Sequence, residues 1–138
     1  MQFRVRDWMM DLVVYVDPDI PVTDALATMR RRYINSLIVN KTETSPDFGI
    51  LTTTDISDDI VAQERNPAEV LVREVMTSPL ITVHRDMEIS ECARIMHEHR
   101  IHHLPVVNES GAIIGMISAT DFLVVAEAMG RKGERALS

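Results

Sequence analysis

The chain has 138 residues, 46% of them hydrophobic, enough for one packed core or for two small units sharing one, and too apolar for a disordered chain. Fourteen Lys and Arg against 21 Asp and Glu leave a net charge of −7, whose field repels a polyanion such as nucleic acid. No run is long and apolar enough to cross a bilayer, residues 1–10 lack a signal-peptide pattern, and the lone Cys92 excludes an internal disulfide, so a cytoplasmic protein with no membrane partner is expected.

The apolar run Leu12–Val16 predicts a short strand. Val22, Ala25, Leu26 and Met29 follow at the spacing i, i+3, i+4, i+7, the stripe of an amphipathic helix, with Pro21 just inside its first turn. Leu37–Val39 and Gly49–Thr52 read as two more strands, joined by the loose polar loop Lys41–Asp47. A helix opens near Asp55 and carries Ile56, Ile60 and Val61, and the polar stretch Gln63–Glu69 reads as a linker. The same order then returns. Leu80–Val83 predicts a strand, and Ile89, Cys92, Ala93 and Met96 mark a helix. Leu104–Val107 and Ile113–Ser118 predict two strands around a tight turn at Asn108–Gly111. A last helix opens near Asp121 with Phe122, Val125, Ala126 and Met129, and the polar tail from Gly130 to Ser138 is expected to fray.

This return is a repeat at the residue level. At a shift of 67, Val5-Arg6-Asp7-Trp8-Met9 meets Val72-Arg73-Glu74-Val75-Met76, and Ile34, Leu37 and Val39 meet Ile101, Leu104 and Val106. After a one-residue change in loop length, Gly49…Thr52…Asp55 meets Gly115…Ser118…Asp121. The organisation read from this is repeat 1 over 1–65, repeat 2 over 66–130 and a flexible tail over 131–138. A βαββα unit of this size buries only one face of its sheet. The expected fold class is therefore α/β (α+β), two such repeats packed sheet to sheet about a pseudo-two-fold axis, with two equivalent clefts.

Polar residues stand at matched places in both copies. Thr52 with Asp55, and Ser118 with Asp121, sit three apart where a strand passes into a helix. A carboxylate there can accept both hydroxyls of a ribose diol, and the hydroxyl residue can donate to a phosphate or sugar oxygen. The competing role for each pair is to cap the helix. His102 and His103 precede a strand in the second copy, where a phosphate would favour their charged form. Their counterparts Asn35 and Ser36 carry no charge. Val13 and Val14, with Leu80 and Ile81, offer an apolar slot for a base, or else ordinary core. His97, His99, His102, His103 and Cys92 are dense, but their spacing fits no zinc pattern, and no metal site is assigned. Asp17, Asp19, Asp58 and Asp59 could line a Mg²⁺-sensing surface, with solvated carboxylates as the default. There is no phosphate-binding glycine loop with its lysine, and Cys92 lies on the apolar stripe as core. No catalytic residue is assigned and the chain is read as a non-enzyme.

The element order, the run Arg100-Ile-His-His-Leu-Pro-Val-Val107 and the two endings resemble a tandem pair of cystathionine-β-synthase (CBS) domains, a Bateman module, over residues 3–130. The second copy matches better, since Ile38 replaces the proline found at Pro105 and the first hairpin lacks its glycine. The resemblance implies a stand-alone regulatory module, often a homodimer, that takes AMP, ADP, ATP or an S-adenosyl compound between its copies and modulates an unidentified partner protein. It implies an adenine nucleotide as regulatory ligand and requires no cofactor. It also implies that a cleft combines the Asp of one copy with the basic pair of the other, so that Thr52 and Asp55 join His102 and His103, while Ser118 and Asp121 join Asn35 and Ser36. The alternatives are a constitutive dimerisation scaffold with vestigial clefts and a Mg²⁺ sensor.

Overall fold

The computed structural model describes residues 3–137, with side chains through Arg131. The chain divides into two compact units, a first of Val13–Leu80 and a second of Met1–Leu12 with Ile81–Ser138. These units are offset from the repeats 1–65 and 66–130. The leading segment of each repeat packs in the unit built on the other repeat's sheet.

In the first unit β1 (Tyr15–Val16) runs parallel to β2 (Ser36–Val39), and β2 runs antiparallel to β3 (Gly49–Thr52). A parallel pair needs a crossover, which α1 (Val22–Arg32) supplies. Its stripe is the predicted one: Val22, Ala25 and Met29 are buried. Pro21 is the N-cap residue, one place before the helix and not inside its first turn. The helix stops at Tyr33, whose φ of 55° lies in the left-handed region and turns the chain into β2. After β3 come α2 (Thr53–Ile56), which continues as a π-helical turn over Ser57–Val61, then a 3₁₀ turn over Pro67–Glu69 and α3 (Val72–Val75).

The second unit repeats this plan with β4 (Val83–His84), α4 (Ile89–His99), β5 (His103–Val107), β6 (Ile113–Ser118) and α5 (Asp121–Leu137), in sheet order β4-β5-β6. Ile89, Cys92 and Met96 form the buried stripe of α4, which ends at Arg100 with φ 54°, the counterpart of Tyr33. The tight turn is present: Gly111 has φ 83°, and the Asn108 Oδ1 accepts from the backbone N–H of Ser110 and Ala112. The tail expected to fray is helical as far as Leu137, with Ser138 outside the described residues. Its Arg, Lys, Glu, Ala and Leu favour helix enough to carry the two glycines, helped by the Glu127–Arg131 pair at 3.3 Å.

Both opening strands are shorter than the apolar runs Leu12–Val16 and Leu80–Val83. The register sets Tyr15 beside Ile38, so residues before Val13 run past the start of β2 and find no partner there. In the second unit Val83 lies beside Val106, and Pro105 has no N–H to give the preceding chain. The corresponding bond in the first unit exists, from Ile38 N–H to the Val14 carbonyl at 2.9 Å.

The exchanged leading segments close the open edges of β3 and β6. Thr77 pairs antiparallel with Ile50 through two backbone bonds of 2.9 Å, and Met10 pairs with Met116 through two of 2.8 Å. Each segment also delivers a fully buried valine, Val72 to the first core and Val5 to the second. A glycine sits beneath each crossing. A Cβ at Gly115 would collide with the Met10 carbonyl oxygen, and one at Gly49 would lie 2.7 Å from the Met76 Sδ. Backbone cannot move aside as a thioether can. Gly115→Ala is expected to cost about 1–3 kcal/mol, as overpacked sites do, and Gly49→Ala distinctly less. Urea unfolding of the two variants checks this, and equal midpoints would contradict it.

Candidate functional site

Each unit brings its matched polar residues to one corner, where the last strand of the sheet turns into a helix. Antiparallel register does the first part. Ser36 lies opposite Thr52, and His103 lies opposite Ser118. Side chains directly opposite one another on adjacent strands are in contact range. The helix start does the second part, since Asp55 and Asp121 fall in the first turn after the strand.

Capping and free acceptor capacity are divided between the two carboxylate oxygens. Asp55 Oδ2 accepts from the Thr52 N–H at 2.8 Å and the Thr52 hydroxyl at 3.3 Å. Asp121 Oδ2 accepts from the Ser118 N–H at 2.7 Å and the Ser118 hydroxyl at 3.2 Å. The aspartates therefore do cap their helices, and they do so with one oxygen only. The other oxygens differ. Asp55 Oδ1 accepts from the Thr77 hydroxyl at 3.1 Å, whereas Asp121 Oδ1 has no hydrogen bond among the described residues. Burial pushes the Asp55 carboxyl above its usual range, outweighing the hydrogen bonds from Thr52 and Thr77 that pull it down.

His102 is exposed and His103 half-buried beside Ser118 and Asp121. Loss of water around the His103 ring lowers its pKa from 6.5, the neighbouring His102 lowers it further, and Asp121 acts in the opposite sense. A groove of about 680 Å³ opens beside this corner, lined by His102, His97 and Arg100 with Met96, Ile101 and Phe122 among its apolar residues. In the first unit Asn35 is exposed and Ser36 opens β2. Thr52 and Asp55 thus share a unit with Asn35 and Ser36, and Ser118 and Asp121 share one with His102 and His103. Val14 and Leu80 fall in the first unit, half-buried; Ile81 falls in the second, exposed; none of the three lies in a strand.

Cys92 is fully buried in the second core, which pushes its thiol up to about 11 and suits a packing role. Sequence spacing missed a different cluster. His84, Asp86 and Glu109 bring ligand-type atoms within 4.8 Å of one another. Arginines hold both carboxylates, Arg6 on Asp86 at 2.9 Å and Arg85 on Glu109 at 2.8 Å, and the His84 Nδ1 accepts from the Asp86 N–H at 3.0 Å. This is a charge network already balanced by cations. Asp19, one of the carboxylates considered for Mg²⁺, is paired with Arg73 at 2.9 Å. No helix among the described residues is long and apolar enough to cross a membrane.

A family model, the CBS domain, matches the chain twice, over residues 5–62 and 72–128. An uncharacterized protein of Methanopyrus kandleri is 34% identical over 113 residues, which are 82% of this chain and 57% of that protein. Inosine-5′-monophosphate dehydrogenase of Thermoplasma acidophilum is 32% identical over 111 residues, 80% of this chain and 21% of that enzyme. The chain therefore spans little more than half of the first relative and about a fifth of the second. Among solved structures, the hexameric CBS-CP12 protein of bloom-forming cyanobacteria matches with a TM-score of 0.83 and 28% identity, covering 90% of this chain and 72% of that one. A CBS domain pair in complex with 5′-methylthioadenosine and S-adenosyl-L-methionine matches with a TM-score of 0.75 over 89% of this chain and 98% of that one; at 24% identity the likeness is one of fold.

The His103 shift has a signed consequence. Its depressed folded-state pKa means that the unfolded chain takes up a proton first as pH falls below 6.5. Stability carried by the neutral ring is full above that pH and is lost as the pH falls toward the folded value. The thermal midpoint of the ligand-free protein should drop between neutral pH and the low fives (about 5) more steeply than that of His103→Asn. Parallel curves from differential scanning calorimetry would contradict this.

Proposed function

The chain belongs to the CBS domain family, and on that premise we propose that it is a regulatory module that binds AMP, ADP, ATP or an S-adenosyl compound and modulates a partner protein, without chemistry of its own. The observation that carries this reading is the duplicated corner. In both units an aspartate uses one oxygen to cap its helix and turns the other away from that bond. A hydroxyl residue stands beside it, and in the second unit His103 lies opposite that residue, with His102 just before it in the chain. Such a corner suits a ligand with a vicinal diol and an anionic or polar tail.

The proposed roles follow from chemistry. Asp55 and Asp121 receive ribose hydroxyls, and Thr52 and Ser118 donate to phosphate or sugar oxygens. His102 and His103 hold a phosphate, whose charge would raise the depressed His103 pKa on binding. Asn35 and Ser36 offer uncharged donors at the matching positions, and Val14, Leu80 and Ile81 give apolar contact to the base. A cytoplasmic homodimer is proposed as well, supported by large apolar side chains exposed on α5, Leu123, Val124 and Met129, and by the assembly of the cyanobacterial relative. Regulation then requires that the ligand bind one state of the module better than another.

A thermal-shift screen against AMP, ADP, ATP, S-adenosyl-L-methionine, NAD and Mg²⁺ tests the reading. A true ligand at 100 times its dissociation constant should stabilise the fold by about 2.7 kcal/mol. A shift with Mg²⁺ alone would favour a cation sensor, and no shift with any compound would favour a constitutive scaffold.

A further inference from the structure

The two corners are built on matched sequence, yet the outward oxygen of one carboxylate already accepts a hydrogen bond and that of the other does not. We propose that Thr77 sets this difference: its hydroxyl occupies the outward oxygen of Asp55, so the ribose diol of an adenosyl ligand is taken by Asp121. The inference rests on the adenosyl-binding reading above and names which of its two corners does the work.

The geometry is a comparison of the molecule with itself. Thr77 pairs with Ile50, two residues before Thr52; Met10 pairs with Met116, two residues before Ser118. The backbone bonds are equivalent, so Thr77 and Met10 occupy the same place relative to their corners. Thr77 has a hydroxyl there and donates it to Asp55 Oδ1 at 3.1 Å. Met10 has none to donate, and Asp121 Oδ1 has no hydrogen bond among the described residues. With Oδ2 taken by two cap donors, both hydroxyls of a diol must go to the two lone-pair sites of Oδ1. At Asp55 a ligand must first displace a hydrogen bond to a charged group. That loss corresponds to roughly a tenfold weaker site or more.

The units differ in a backbone acceptor as well. In the first unit the Val14 carbonyl already accepts from Ile38 N–H. In the second, Pro105 stands where Ile38 stands and has no N–H, so the Ile81 carbonyl has no backbone donor among the described residues. The second unit therefore leaves open a backbone acceptor whose counterpart in the first unit is occupied.

The test is isothermal titration of the full chain with AMP and S-adenosyl-L-methionine as probes, and 2′-deoxy-AMP as the diol-deficient control. One tight equivalent per chain is expected, weakened about tenfold when the 2′-hydroxyl is missing. Asp121→Asn should weaken it by a similar factor while keeping an oxygen for the helix cap. Thr77→Val, close in shape but without the hydroxyl, should add a second equivalent, and Thr77→Ser should not. Unchanged affinity in Asp121→Asn, or unchanged stoichiometry in Thr77→Val, overturns the inference while leaving adenosyl binding intact. No binding of either probe by the unaltered chain overturns the adenosyl-binding reading and this inference together.

Discussion

Two pairs of backbone hydrogen bonds, Met10 with Met116 and Thr77 with Ile50, hold the rest of the architecture in place. A three-stranded sheet with a two-residue first strand has little of its own to close it, and an exposed edge is a liability. Covering that edge with a segment from elsewhere in the chain removes the liability and brings buried valines into each core, Val70, Val72 and Val75 into the first and Val5 into the second. The close approach demands a glycine beneath it, which is the physical reason that Gly49 and Gly115 recur at the same place in both repeats. It also decides what stands next to each aspartate.

The corner reconciles two readings of an aspartate at the start of a helix. Capping and ligand contact compete only if one oxygen must do both. Here the Oδ2 atoms of Asp55 and Asp121 satisfy the strand-end N–H, fixing the carboxylate plane and aiming Oδ1 elsewhere. A carboxylate held in this way loses little freedom when a ligand arrives, which is the general advantage of preorganisation. The imidazole pair adds hydrogen-bonding groups for an anion that the net charge of −7 does not reveal, because charge sums say nothing about where polar groups lie.

Divergence between the repeats is as informative as their likeness. Asn35 and Ser36 against His102 and His103, Ile38 against Pro105, and Thr77 against Met10 are all substitutions at equivalent places in two copies of one plan. Each changes what the polar groups of a corner have left to offer. Duplication supplies the same plan twice, and these few positions make the two copies chemically distinct.

The sequence alone determined the repeat, the amphipathic stripes of α1 and α4, the strands Gly49–Thr52 and Ile113–Ser118, the core role of Cys92 and the identity of the matched polar residues. All of these rest on short-range periodicity, or on direct comparison of one copy with the other. The exchange of leading segments, the shortening of β1 and β4 and the Arg-balanced cluster at His84 were decided by tertiary structure. A glycine inside a predicted strand was the one local sign that another stretch of backbone passes close by. Which stretch that is, and therefore whether a threonine or a methionine stands at the crossing, depends on contacts between residues far apart in the chain, and these leave no period to read.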